Sequence, residues 1–316
     1  MEPGRALVGG AGSRAWAGTS AEPTRPFPLG RVLAHSRCVG DDSGLRRALL
    51  RRLLPTAQRE RLDALRFDDL GQGWDTFGAS REGAALADVL LRGLYESWFR
   101  VESRGAEHVP AEGPVIVAAN HSGTLPFDAA MLYLDLLRQT DPPRLPRAIA
   151  DRFVPALPFV STFFARGGVV GGTRKNMDHL LERGELVMVF PEGTPGIGKP
   201  FSERYQLQRF REGHCELAIR HGAPVVPAAI VGAEEALPQV ARLPIRLFGA
   251  PYLPIPATPI PFPVRYHVRY GPPIRFDAPP ERSDDPETTR AAAAEVQAAV
   301  AGLIDEALAE REGLFR

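Results

Sequence analysis

Apolar positions along this chain alternate between short unbroken runs and stretches spaced three or four residues apart, and that alternation predicts the fold. The runs Pro114–Asn120 (PVIVAAN), Leu186–Phe190 (LVMVF) and Pro224–Gly232 (PVVPAAIVG) read as buried strands. RAIAD at 147–151 and VRYHVRYG at 264–271 add two further strands. Helical spacing covers Gly83–Val101 (through Leu86, Leu90, Leu94, Tyr95 and Trp98), Phe127–Leu137, Phe153–Phe164, Lys175–Arg183, a segment ended by Gly222, and an alanine-rich stretch from Thr288 to Leu314. Strands alternating with helices predict an α/β architecture with a mostly parallel or mixed β-sheet flanked by helices.

The flanks read differently. Residues 1–43 are rich in Gly, Pro, Ser, Ala and Arg without periodicity and are expected to be a disordered extension. The glycines at 10–12 mimic a dinucleotide fingerprint, but no strand precedes them. Residues 44–74 are expected to form a basic amphipathic helical segment and linker. Leu45, Leu49 and Leu53 share one face, Arg46, Arg47, Arg51 and Arg52 add charge, and Pro55 stops the helix. That composition suits either an anionic membrane surface or a helix packed on the domain. The compact domain is expected over 75–280, with a C-terminal helix over 281–316. Within it, FGAPYLPIPATPIPFP at 248–263 is apolar yet proline-broken, so it can be neither a regular helix nor a central strand. It reads as a greasy surface loop touching lipid or as an extended cover over the core.

Composition narrows the partners. Thirty-eight basic side chains balance thirty-eight acidic ones, so no global positive field points to nucleic acid. No run reaches the roughly 18 apolar residues of a membrane-spanning helix. Cys38 and Cys215 stand alone, without metal-ligand or disulfide spacing. The expectation from these features is a cytoplasmic protein without a metal site, which lies on a bilayer rather than across it where it meets one.

The chemistry sits at strand ends, where a parallel sheet opens into a crevice. Asn120-His121-Ser122-Gly123 follows one strand and Pro191-Glu192-Gly193-Thr194 follows another. An imidazole titrates near neutrality, and a carboxylate on one ring nitrogen fixes the tautomer that leaves the other as a base. His121 is thus the candidate base and Asp128 the candidate partner. Arg166, Arg174 or Lys199 could neutralise a substrate phosphate.

Asn120-His121 followed by Asp128, then Phe190-Pro191-Glu192-Gly193-Thr194, then Val225-Val226-Pro227 together resemble the glycerolipid acyltransferase superfamily over roughly residues 75–275. The resemblance implies that His121 deprotonates an acceptor hydroxyl, which attacks the thioester of acyl-CoA or acyl-ACP, with Asp128 supporting the histidine. It implies an acceptor site that includes Asn120, Ser122, Gly123, Arg174, Glu192, Gly193, Thr194 and Lys199. The implied acceptor is a lysophospholipid or related glycerolipid at a membrane surface, which implies a peripheral protein on the inner face of the cell membrane with no cofactor besides the acyl-donor co-substrate. Six residues separate His121 from Asp128, where the family commonly has four, so a bulged turn is expected between them.

Rival readings lack residues. Gly193 to Lys199 has phosphate-loop spacing, but Pro200 occupies the magnesium-binding position. No Gly-x-Ser-x-Gly elbow occurs, which argues against a serine hydrolase. A catalytically silent lipid-binding protein of the same fold, and an acyltransferase for diacylglycerol or a long-chain alcohol, both stay open.

Overall fold

The computed structural model describes residues 42–66, 68–69, 71–122, 125–151, 160–197, 199–243 and 253–315. The expected extension over 1–43 therefore lies almost wholly outside the described residues. In chain order the elements are α1 (Asp42–Leu53), α2 (Thr56–Ala64), α3 (Arg81–Gly93), β1 (Glu102–Arg104), β2 (Val115–Ala119), α4 (Phe127–Gln139), β3 (Pro146–Ala150), α5 (Val160–Arg166), β4 (Val170–Gly171) and α6 (Arg174–Glu182). They continue as β5 (Leu186–Val189), α7 (Thr194–Ile197), α8 (Gly213–His221), β6 (Val225–Val231), α9 (Ala233–Ala236), β7 (Gln239–Leu243), β8 (Leu253–Pro256), β9 (His267–Tyr270) and α10 (Pro286–Glu310).

Seven strands form one sheet in the order β1-β9-β6-β2-β5-β3-β4. β6, β2, β5, β3 and β4 run parallel, while β9 meets β6 antiparallel and β1 follows β9 in parallel. The central strands are apolar throughout because both faces are covered. In β2, Val115, Val117 and Ala119 join the core beneath α3 and α4, whereas Ile116 and Ala118 join the core beneath α6, α8 and α10.

Segments on both sides of 75–280 also pack on its core. Leu54, Leu62 and Leu65, around α2, are buried in the same core as β2 and α4, so this part of 44–74 is body rather than linker. Likewise α10 buries Ala292, Val296, Val300 and Ile304 against the sheet. An N-cap at Asp285, with Pro286 next, starts α10, and such caps contribute about 1 kcal/mol. The expected helix over 153–164 lies in part outside the described residues, with α5 beginning at Val160. The proline-broken 248–263 segment contributes β8, which pairs with β7 in a separate two-stranded ribbon.

Candidate active site

β2 and β5 are adjacent, with Ala118 opposite Val189, so the segments that follow them leave the sheet side by side. β6 lies on the other side of β2, with Ala119 opposite Ala228. Asn120 extends that pairing by one step. Its fully buried amide donates to the Ile230 carbonyl at 3.0 Å and accepts the Ile230 N–H at 2.7 Å, which ties the base of the His121 loop to the sheet.

His121 is held from three sides. Its Nδ1 lies 2.6 Å from Asp128 Oδ2. Its ring stacks on Phe190, with centroids 4.3 Å apart and planes 25° off parallel. Its backbone N–H donates to Glu192 Oε1 at 2.9 Å. A proton on Nδ1, shared with the carboxylate, leaves the Nε2 lone pair available as a base.

The six-residue spacing closes because Asp128 is the second residue of α4, where the first-turn N–H groups are unpaired. Asp128 Oδ1 accepts the Ala129 N–H at 2.7 Å, and Oδ2 accepts the Ser122 N–H at 2.8 Å beside the imidazole. Burial opposes charge on His121. Asp128, then Glu192 and Asp151, outweigh that effect and hold the imidazole above its ordinary value.

Glu192 faces inward. Its side chain is fully buried; besides the His121 N–H it takes the Gln208 N–H at 2.7 Å on Oε2. Lys199, also buried, stands 3.6 Å from Glu192 and 3.1 Å from Glu234, and donates to the Gln206 carbonyl at 3.1 Å. Burial pushes the Glu234 carboxyl up to about 7 despite Lys199. Gly193 turns the chain with φ +61°, and a Cβ on Gly196 would come within 2.8 Å of Glu192 Cβ and 3.1 Å of the His121 carbonyl.

Of the remaining expected acceptor residues, Ser122 is buried and its hydroxyl has no partner among the described residues. Gly123 lies outside the described residues, and Thr194 opens α7. Arg174 is not brought to the dyad. It is more than half exposed at the start of α6, ion-paired with Glu216 of α8 and 3.9 Å from Asp284. Arg166 lies over the Trp74 ring at 4.5 Å.

Sequence reading missed the role of Phe190 as a stacking platform, of Gln208 as a donor to Glu192, and of Glu234 as the second carboxylate on Lys199. The available signal was a third strand end: Gly232 followed by Glu234 and Glu235, immediately after β6. Beside β3 and β4 a largely apolar cleft of about 420 Å³ opens between Trp74, Phe77, Phe164 and Val170. It reaches Ala150, next to the Asp151 whose charge acts on His121.

A family model described as acyltransferase matches residues 100–231, which hold β2, β5, β6 and both strand-end motifs. An uncharacterized protein of Mycobacterium tuberculosis is 37% identical over 254 residues, covering 76% of this chain and 71% of its own. A human protein named DGAT1/2-independent enzyme synthesizing storage lipids is 26% identical over 210 residues, covering 65% of this chain and 61% of its own. Among solved structures, the 1-acyl-sn-glycerophosphate acyltransferase PlsC of Thermotoga maritima superposes with a TM-score of 0.51 at 18% identity. That match covers 74% of this chain and 83% of PlsC, and shows the shared fold.

Proposed function

This chain belongs to the acyltransferase family, and we propose that it transfers a fatty acyl group from acyl-CoA or acyl-ACP to a hydroxyl of a lysophospholipid or related glycerolipid at a membrane surface. The observation that carries this reading is the His121–Asp128 pair at 2.6 Å at the carboxyl edge of the sheet, which engages Nδ1 and leaves Nε2 without a hydrogen-bond partner among the described residues. His121 Nε2 takes the acceptor hydroxyl proton as the oxygen attacks the thioester carbonyl carbon. The tetrahedral intermediate collapses, the carbon–sulfur bond breaks, and the imidazolium returns its proton to the departing sulfur. Asp128 stabilises the imidazolium formed on the way.

The other side chains divide by what they have left to offer. Asn120, Glu192 and Lys199 spend their polar atoms on the protein. They act by fixing the His121 loop rather than by touching the acceptor. Ser122 keeps a buried hydroxyl for substrate, and the turn at Gly193 and Thr194 borders the acceptor. The apolar cleft beside β3 and β4 suits the acyl chain. Among the described residues no helix is long and apolar enough to cross a membrane, so contact with the bilayer in this reading is peripheral.

A specific observation favours a second acceptor class. Of the three cations expected to meet a phosphate, Lys199 and Arg174 are already paired with carboxylates, and Arg166 lies over the Trp74 ring. That arrangement favours an acceptor without phosphate, such as diacylglycerol or a long-chain alcohol, and the human relative's name concerns storage lipids. Purified protein given radiolabelled acyl-CoA or acyl-ACP with lysophosphatidate, lysophosphatidylcholine, diacylglycerol and hexadecanol distinguishes the two. Transfer to the lyso-lipids supports the phosphorylated class, transfer to diacylglycerol or the alcohol supports the neutral class, and transfer to none refutes the enzyme reading.

A further inference from the structure

Between β6 and β9 the chain leaves the main sheet as the β7–β8 ribbon, paired from Gln239 opposite Pro256 to Leu243 opposite Leu253. A lone two-stranded ribbon is marginal in water because it buries too little apolar surface. Here Val240 is 63% exposed on β7, and Ile260 is 65% exposed on the segment that returns to β9. Leu243 and Phe262 are exposed as well. Residues 237–264 contain no Asp, Glu or Lys, two arginines and eight prolines. The segment's own charged side chains are therefore arginines only.

The ribbon rises from the same edge of the sheet as His121. It starts beyond Val231 at the end of β6, and β9 begins opposite that residue, with His267 paired to Val231. His121 follows β2, the strand next to β6. Trp98, exposed on the same edge, donates its indole N–H to the Pro261 carbonyl at 3.1 Å. Arg100 donates to the carbonyls of Trp98, Pro263 and Phe315, with no carboxylate on it among the described residues.

Three features select a lipid surface over a protein partner. Each proline removes a backbone N–H that would otherwise lose its water on insertion, so the six among the described residues (Pro238, Pro254, Pro256, Pro259, Pro261 and Pro263) lower the cost of desolvating this surface. Pro254 and Pro256 lie in β8 and obstruct edge-to-edge pairing by a second copy. Arginine beside tryptophan, without acidic neighbours in the sequence segment, matches the phosphate and interfacial zone of a bilayer.

We infer that the β7–β8 ribbon, with Trp98 and Phe262, is the surface on which this protein docks into a phospholipid bilayer, setting the His121 edge at headgroup depth. This rests on the glycerolipid acyltransferase reading for its biological sense, but its test does not depend on turnover. The chain has three tryptophans, Trp16, Trp74 and Trp98, so Trp16→Phe with Trp74→Phe leaves Trp98 as the sole tryptophan, excited apart from the tyrosines at the red edge of its absorption. Vesicles of phosphatidylcholine and phosphatidylglycerol carrying bromine at a shallow acyl position are expected to quench it. Val240→Asp with Phe262→Asp in the otherwise native chain is expected to weaken vesicle partitioning about tenfold or more, with transfer to detergent-dispersed acceptor unchanged. Unquenched Trp98 on bound protein, or unaltered partitioning of the double variant, overturns the proposal. So does loss of a dimer in the double variant without loss of vesicle binding, which assigns the face to a second copy. Docking through this face without transfer to any acceptor sinks the enzymatic reading alone, and transfer without docking sinks this inference alone.

Discussion

Asp128→Asn removes one charge from a carboxylate that serves three donors at once: His121 Nδ1 at 2.6 Å, Ser122 N–H at 2.8 Å and Ala129 N–H at 2.7 Å. An amide cannot satisfy all three, because one of its two positions is itself a donor. If its oxygen stays on His121 and Ser122, its NH2 meets the Ala129 N–H. If it flips, its NH2 donates to Nδ1, and the imidazole proton moves to Nε2, where the base should be. The charge-assisted bond to the imidazolium contributes about 1.5–3 kcal/mol, or roughly 10- to 150-fold in rate at about 1.4 kcal/mol per decade. Tautomer loss adds to this, and in the serine-protease template the same substitution reaches about 10⁴-fold. The expected fall in kcat is therefore about 10²- to 10⁴-fold, with acceptor KM little changed, read from free thiol released by a purified acyl thioester donor. The pH profile supplies an independent readout. A base must be unprotonated, and Asp128 contributes to holding His121 above its ordinary value. The native kcat/KM should rise with pH through a midpoint above about 6.5, and the variant's midpoint should move down. A variant within about threefold of native turnover, with an unmoved midpoint, refutes the dyad.

The buried ions give two further expectations. Lys199→Met leaves Glu192 and Glu234 without their cation, and breaking a buried pair costs about 3–5 kcal/mol. Glu234, already pushed up to about 7, can relieve part of this by binding a proton, so the drop in thermal midpoint should be larger at about pH 8 than at about pH 6. An equal drop at both would show that Lys199 does not compensate these carboxylates. Gly196→Ala drives a methyl into Glu192 Cβ at 2.8 Å, which should cost about 1–3 kcal/mol and lower kcat more than acceptor KM. Native kcat in that variant would separate the Glu192 contact from His121 function.

The parallel centre of the fold was legible because VIVAA, LVMV and VVPAAIV are apolar on both faces, which is what strands covered by two helical layers require. The pairing of His121 with Asp128 was legible as residue types, whereas its geometry depended on Asp128 falling in the first turn of α4. What lay beyond reach were the long-range partners. Glu192 reads as a substrate ligand in isolation, and only the approach of two backbone N–H groups, 71 and 16 residues away in sequence, shows where its oxygens go. Arg174 carries an unassigned charge until α8 brings Glu216 beside it. The antiparallel β9 and the β7–β8 ribbon follow from how the chain returns after β6, which local periodicity does not encode.

The central claim is that His121 moves the acceptor proton in an acyl transfer. Its most direct test compares native protein with His121→Ala, using labelled acyl thioester and whichever lipid acceptor the panel identifies, with the thermal midpoint measured on the same samples. The His121 side chain keeps 13% of its surface exposed, stacks on Phe190 and lies outside both apolar core clusters. The variant is therefore expected to keep a near-native midpoint while losing at least about 10³-fold in turnover. Turnover within an order of magnitude of native, from a folded variant, would contradict the account.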